Sequence, residues 1–295
     1  MDVLSQKRLP GWFVLAGYFV ATVFLHLKVS KFLIEPLPLF SKRVVLLDYF
    51  GPIAFVILAF LVAMVLKQFY RGERRLITCA CWFLLILTMV GADRYLLFKN
   101  IEYIHYPQYA VLAFLLGKCM DPERDRFFVG KILFWATFLG IIDEMIQYFY
   151  LCASYGDYLD FNDFFLNLQG AFAGVLVYYG FRSIPPKTQG RAGPFLWIPE
   201  ALLIMVCVGA MVFLSFTGRL HISAPHPIPP GGIGHAEGRR VVYLERKPGL
   251  FGSWNKGVHR GGNYYVLRPK EGMILLCLTG VIFASFGKSP TRENA

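Results

Sequence analysis

Long apolar runs alternate with short polar segments along the whole chain. The runs are roughly 16 to 26 residues long, and a helix needs about 20 mainly apolar residues to cross a bilayer. The pattern predicts membrane-spanning helices at 11–27, 50–66, 76–92, 103–119, 127–151, 163–181, 195–217 and 272–287. The predicted fold class is therefore all-α: a polytopic helical membrane bundle of about 8 transmembrane helices, with one small β-containing extramembrane loop.

Composition supports this interpretation. Hydrophobic residues make up 56% of the chain and charged residues 17%, and the mean hydropathy is +0.50. A soluble domain carries about 25% charged residues, because water must wet its surface. These values exclude an ordinary water-soluble enzyme, and they also exclude a disordered chain, which would need low hydrophobicity.

The basic residues predict an orientation. The chain has 30 Lys and Arg against 19 Asp and Glu, and most of those outside the long loop at 218–271 fall in alternate segments between the predicted spans. Cytoplasmic segments of membrane proteins are enriched in Lys and Arg, so both termini are predicted to be cytoplasmic. Since the remaining basic residues do not form one soluble basic domain, nucleic-acid binding is rejected.

The loop at 218–271 is the longest predicted extramembrane segment. Its Pro/Gly-rich start excludes a helix, and two strand-like runs follow, RRVVYLER and NYYVLRP. We predict a β-hairpin or small sheet against the membrane surface, where its basic residues would meet membrane lipids or an anionic envelope component. The histidines of this loop are irregularly spaced, which favours solvated side chains over a zinc site; they are His221, His226, His235 and His259.

Three polar clusters interrupt the apolar runs, and each ionisable group inside such a run is a candidate for function. Helical spacing places the polar members of each cluster on a shared face. The entry directions of the helices bring all three clusters to the extracytoplasmic ends of the fourth, fifth and sixth predicted spans. The clusters are Glu102-x-x-His105-x-x-x-Tyr109, Asp143-Glu144-x-x-Gln147, and Asp160-x-Asn162-Asp163-x-x-x-Asn167-x-x-Gly170-x-x-x-Gly174.

These clusters predict an acidic, histidine-containing site. Carboxylates and imidazole suit a divalent metal and general acid–base chemistry. The candidate catalytic residues are Glu102, His105, Asp143, Glu144 and Asp163, the candidate binding residues are Tyr109, Gln147, Asn167 and Asp160, and the metal candidates are His105, Asp143, Glu144 and Asp163. Structural roles remain open: a helix N-cap for Asp163, interhelical hydrogen bonds for Gln147 and Asn167, and close packing for Gly170 and Gly174.

The order and spacing of these motifs resemble the VanZ-like family of bacterial multi-span membrane proteins, which are associated with tolerance to the lipoglycopeptide teicoplanin. The resemblance covers about 100–180 and departs from the family at Asp157, where members often carry arginine. It implies a bacterial cytoplasmic-membrane protein. The predicted organisation is N-terminal helices at 1–99, a VanZ-like core at 100–182, a helix at 195–217, the basic loop at 218–271 and a C-terminal helix at 272–287.

Three functions fit these observations. The first is a site that binds or acts on a cell-envelope lipid or amphiphile, with an unknown cofactor for which a divalent metal is the candidate. The second is a membrane scaffold without catalysis, in which the polar clusters only fix helix packing. The third is a proton-coupled small transporter or flippase, although the carboxylates lie at one membrane face. The sequence leaves open whether the protein is an enzyme.

Overall fold

A computed structural model describes most of the chain, and helices dominate it. The described residues are 9–35, 37–39, 42–45, scattered positions between 49 and 70, 76–124, 128–152, 156–180, 198–228, 233–236 and 239–285. The predicted span at 50–66 therefore falls largely outside the described residues. The helices are α1 (Leu9–Ile34), α2 (Leu76–Tyr95), α3 (His105–Met120), α4 (Val129–Ile146), α5 (Phe161–Gly180), α6 (Ile198–Phe216) and α7 (Pro269–Ser285).

Helix α5 is the centre of the fold. It packs against α2, α3, α4 and α7, and most of its side chains are buried. Its contact with α7 includes a parallel stack of Phe172 on Phe283, with ring centroids 3.8 Å apart. At its start, the Asn162 amide donates to the carbonyls of Leu96 and Tyr265, so one side chain ties α5 to the end of α2 and to the extrahelical region.

Two short strand systems cover one end of the helices. Strand β3 (Leu220–Ser223) pairs in parallel with β5 (Arg239–Glu245), whose other edge pairs antiparallel with β4 (Ile233–Ala236). Strand β6 (Trp254–Lys256) pairs with β7 (Asn263–Tyr265). A further hairpin near the N-terminus joins β1 (Leu37–Leu39) to β2 (Lys42–Val44). The two strand-like runs predicted from the sequence are both strands, but they pair with different partners and form no hairpin together.

The prediction of about 8 transmembrane helices is wrong. In the part of the chain that the structure describes, α6 alone is long and apolar enough to cross a membrane. Helix α1 would be a second only if its two halves, Pro10–Leu25 and Lys28–Ile34, form one span across a bend of 58°. For the location of the protein, the structure therefore supports one described helix that is able to cross a membrane.

For the helices α3, α4 and α7 the physical reason is that an apolar run is not the same as an apolar helix of spanning length. Helix α3 has 16 residues and α7 has 17, whereas a span needs about 20. Helix α4 has a suitable start but carries three charged residues, Lys131, Asp143 and Glu144. An average hydropathy over a run shows neither where the helix ends nor that it contains these charges.

Helix α6 differs from the others in its surroundings. Only 6% of its most apolar stretch is buried, and large side chains such as Met205 and Phe213 are more than half exposed. Its buried attachment is Glu200, which accepts hydrogen bonds from Trp135 at 3.0 Å and forms an ion pair with Lys131 at 3.1 Å. One buried carboxylate therefore connects an otherwise exposed apolar helix to α4.

Candidate functional site

Two glycines bring α3 and α5 into backbone contact beside the polar clusters. A Cβ atom at Gly170 would lie 2.7 Å from the carbonyl oxygen of Tyr106, and one at Gly174 would lie 2.1 Å from that of Ala110. No larger residue fits at either position without moving a backbone. The G-x-x-x-G spacing thus serves close helix packing, as the sequence predicts, and it sets the distance between the polar residues of the two helices.

The structure brings His105, Glu144 and Asp163 together from three helices. One ligand atom from each lies within 4.8 Å of the others. The Nδ1 atom of His105 is 3.7 Å from Glu144 Oε1, and Nε2 is 3.6 Å from Asp163 Oδ1. The histidine and the glutamate are buried, and the aspartate side chain is 15% exposed. The cluster is therefore enclosed by protein and open at one edge, on the side of Asp163.

Asn167 orients the imidazole of His105. The Asn167 amide nitrogen donates to Glu144 Oε1 at 3.2 Å, so its oxygen is left to accept from His105 Nδ1 at 2.8 Å. With the proton on Nδ1, the Nε2 atom of a neutral imidazole presents a lone pair towards Asp163. The Oδ1 atom of Asp163 is buried and has no hydrogen-bond partner. In this tautomer the His105 Nε2 atom and the Asp163 Oδ1 atom lie 3.6 Å apart.

Asp143 lies outside this arrangement, although it neighbours Glu144 in sequence. Its carboxylate accepts hydrogen bonds from Tyr109 at 2.7 Å, from Gln147 at 3.1 Å and from Gln108 at 3.3 Å. Those contacts connect α4 to α3 and hold Tyr109 and Gln147 beside Asp143. The Tyr109 ring also stacks on the imidazole of His105, with ring centroids 6.2 Å apart. The π-helical turn that begins at Gln147 follows directly, and such turns are frequent at functional sites.

Glu102 and Asp160 lie at the entrance to the cluster. Glu102 accepts hydrogen bonds from the backbone nitrogens of Phe98 and Lys99 and so caps the 3₁₀ turn that precedes α3. Burial, together with the neighbouring Asp163 and Asp160, raises the pKa of Glu102. Burial, and then the charge of Asp163, raise the pKa of Asp160 to about 8. The edge of the cluster is thus crowded with negative charge.

The raised pKa of Asp160 predicts a pH-dependent stability. An unfolded aspartate has a pKa of about 3.9, so the folded state binds more protons between about pH 4 and pH 8, and stability falls as the pH rises through that interval. We expect Asp160→Asn to raise the Tm of EDTA-treated protein by several degrees at pH 8.5 and very little at pH 4. An equal change in Tm at both pH values would contradict the raised pKa.

Sequence reasoning missed a second polar group, around His259. This histidine was predicted to be solvated but is buried, with Nε2 at 3.0 Å from Asp93 and Nδ1 against the side-chain oxygen of Asn100. The Tyr103 hydroxyl donates to the same Asp93 oxygen. His259 and Asp93 are 166 positions apart, and no local spacing links them.

Arg246 is the other residue that the sequence analysis missed. It is buried, and it donates to the carbonyl oxygens of Gly156 at 2.8 Å and Tyr148 at 2.7 Å. The structure thus places a cation from the strand region at the loop before α5, where the backbone nitrogen of Arg246 also donates to the carbonyl oxygen of Asp157. The basic loop predicted to meet outside partners uses this residue to dock on its own helices.

Comparison with known proteins adds no relative. No family model matches the chain, and neither a curated protein nor a solved structure does so at a significant level. The resemblance to the VanZ-like family therefore rests on the motifs between about 100 and 180.

Proposed function

We propose that this protein resides in a membrane and that the His105–Glu144–Asp163 cluster holds a divalent cation, at which the protein binds or acts on the polar part of a cell-envelope lipid or amphiphile. The observation that carries the proposal is the pair of facing atoms, His105 Nε2 and Asp163 Oδ1, 3.6 Å apart. A cation between them would be bound by both atoms.

The distances suit a transition metal. Two ligands about 2.1 Å from a tetrahedral zinc ion stand about 3.4 Å apart, close to the 3.6 Å between His105 and Asp163. A mixed set of one imidazole and two carboxylates fits zinc or manganese better than calcium, which prefers oxygen alone. Such an ion polarises a phosphate or carbonyl group and acidifies bound water. Asn167 keeps the imidazole in the tautomer that would bind it.

The membrane location is supported by exposed apolar surface. Soluble proteins rarely expose continuous apolar patches of more than a few hundred Å², yet α6 is apolar and exposed along nearly its whole length. Helices α1 and α7 also expose large side chains, among them Phe13 and Val281. The family resemblance favours a multi-pass protein of the bacterial cytoplasmic membrane. That location would give the site access to envelope lipids, with the link to glycopeptide tolerance that the family implies.

Metal content tests this proposal. After purification in detergent and exposure to zinc and manganese, the parent protein is expected to retain about one ion per chain. His105→Ala and Asp163→Asn are expected to retain almost none, because each removes one of the facing atoms. Metal would be measured by mass spectrometry after dialysis.

Asp143→Asn is the matched control, since Asp143 is a buried carboxylate next to Glu144 on α4. Its oxygens accept from Tyr109, Gln108 and Gln147. This variant is expected to retain the ion. A parent protein that holds no metal, or variants that hold as much as the parent, would overturn the cation site. If the parent protein holds no metal and the His105 and Asp163 variants fail to fold, the scaffold is favoured instead, in which the cluster only joins helices.

A further inference from the structure

A cavity lies between the end of α2 and the connection from β6 to β7. The backbone nitrogens of Val258 and His259 both donate to the carbonyl oxygen of Phe98, each at 2.9 Å. His259 adds side-chain bonds to Asp93 and Asn100 on the other wall. The two walls are thus joined by at least four hydrogen bonds, and the space between them is preformed, as ligand pockets usually are.

The cavity combines charged and aromatic groups. It measures about 380 Å³ and is lined by Asp93, Arg94, Tyr95, Leu97, Trp254, His259, Gly262 and Asn263. Tyr95 and Trp254 are each more than half exposed, and their rings meet at 75° with centroids 6.2 Å apart. The two aromatic rings therefore form a corner. The exposed guanidinium of Arg94 and the carboxylate of the adjacent Asp93 lie beside it.

An apolar stripe leads along α2 to this cavity. Phe83, Leu87 and Val90 are 69%, 55% and 59% exposed. Arg94 follows Val90 by four residues, so the spacing places all four on one face of the helix. A molecule that lies with its apolar part on this stripe would present its polar part to Arg94 and to the aromatic corner.

We infer that this cavity binds a zwitterion in which a phosphodiester is joined to an ammonium group, as in the headgroup of a phospholipid. Arg94 takes the phosphate through charge-assisted hydrogen bonds. The ammonium lies in the corner of Tyr95 and Trp254, where the ring faces attract a cation, and the charge of Asp93 adds to that attraction. The acyl chains lie along the apolar stripe of α2.

A zwitterion fits this cavity better than a simple ion does. An anion alone would satisfy Arg94 but would stand near the Asp93 carboxylate, and a cation alone would stand near the guanidinium. The zwitterion matches both charges, and its apolar tail matches the stripe. This inference uses none of the residues of the His105 cluster, so the headgroup site and the cation site succeed or fail separately.

Lipid binding to the purified full chain tests the inference. In a neutral maltoside detergent the chain would be titrated with dioleoyl phosphatidylethanolamine, dioleoyl phosphatidylglycerol and water-soluble phosphoethanolamine, with binding followed by native mass spectrometry. Phosphatidylethanolamine is expected to bind at least about tenfold more tightly than phosphatidylglycerol. Arg94→Ala and Trp254→Ala are each expected to remove that preference, because one removes the phosphate partner and the other opens the corner.

Two substitutions of exposed residues outside the cavity serve as controls. Arg219→Ala removes another exposed arginine, and Tyr150→Ala removes another exposed aromatic residue. Both variants are expected to keep the preference. Equal binding of the two lipids by the parent protein would overturn the zwitterion site. So would a loss of the lipid preference in the control variants that equals the loss in Arg94→Ala and Trp254→Ala. If phosphoethanolamine binds as tightly as phosphatidylethanolamine, the zwitterion pocket is supported, and its ligand is a water-soluble molecule rather than a lipid.

Discussion

Gly174→Ala is expected to cost several kcal/mol of folding stability, although it adds one methyl group to a helix. The new Cβ would stand 2.1 Å from the carbonyl oxygen of Ala110 and 2.8 Å from two further backbone atoms. These atoms belong to the backbone of α3, so no side chain can rotate away, and the helices must separate. Overpacking of a tight core typically costs about 1–3 kcal/mol, and a backbone clash lies at or above the upper limit.

Thermal unfolding in detergent, followed by circular dichroism, would measure this loss. Gly91→Ala on α2 is the matched control, because nothing lies within 4 Å of the Cβ it would add. There alanine should stabilise the helix by about 0.5–1 kcal/mol. A Gly174→Ala protein that unfolds at the temperature of the parent would contradict the close contact of α3 with α5.

The same contact explains how the fold positions the candidate site. His105 begins α3, and Asp163 and Asn167 lie on the first turns of α5, so the separation of the two helices determines the distance between the imidazole and its partners. A Cβ at Gly170 would meet the carbonyl oxygen of His105 itself, at 2.9 Å. The small residues of α5 are thus part of the site geometry even though none of them touches a ligand.

Helix positions could be predicted from the sequence because each apolar run ends at polar or helix-breaking residues. The run at 103–119 corresponds to a helix at His105–Met120, and the run at 195–217 corresponds to Ile198–Phe216. The number of spans could not be predicted in the same way. Hydropathy reports the composition of a run, whereas spanning also depends on helix length and on where charges such as Lys131 and Asp143 fall within it.

The candidate site was predictable in outline and not in detail. Helical spacing groups His105 with Tyr109, and Asp143 or Glu144 with Gln147, but neighbouring residues on a helix point about 100° apart. Only the packing of α4 against α3 and α5 decides that Glu144 joins His105 while Asp143 joins Tyr109. The group at His259 depends on contacts across 166 positions, for which a periodic pattern contains no information.

Arg246→Met is expected to loosen strand β5 from the loop before α5 while leaving α3, α4 and α5 folded. The guanidinium of Arg246 is buried, donates to two carbonyl oxygens and lies 4.1 Å from the centre of the Tyr148 ring. Methionine fills similar volume but leaves the carbonyls of Gly156 and Tyr148 buried without donors. Hydrogen bonds from a charged group contribute about 1.5–3 kcal/mol each, so their loss should weaken the attachment of β5 to the loop before α5.

Hydrogen exchange resolves where that loss falls. Strand β5 is attached to the loop before α5 by the bond from Leu159 nitrogen to Leu244 oxygen at 2.8 Å and by that from Arg246 nitrogen to Asp157 oxygen at 2.7 Å. In Arg246→Met, peptides covering 156–159 and 239–247 should exchange faster, whereas those of α3 and α5 should keep their protection.

Arg246→Lys separates charge from geometry. Lysine keeps the positive charge but presents a single ammonium instead of a planar fork, so it cannot reproduce both carbonyl bonds and the contact with Tyr148. We expect it to behave like Arg246→Met, whereas Arg240→Ala, at an exposed position of the same strand, should exchange like the parent. Full protection in Arg246→Lys would mean that the positive charge alone holds β5 to the loop before α5. Uniform loss of protection across α3 and α5 would mean that the strand region and the helices unfold as one unit.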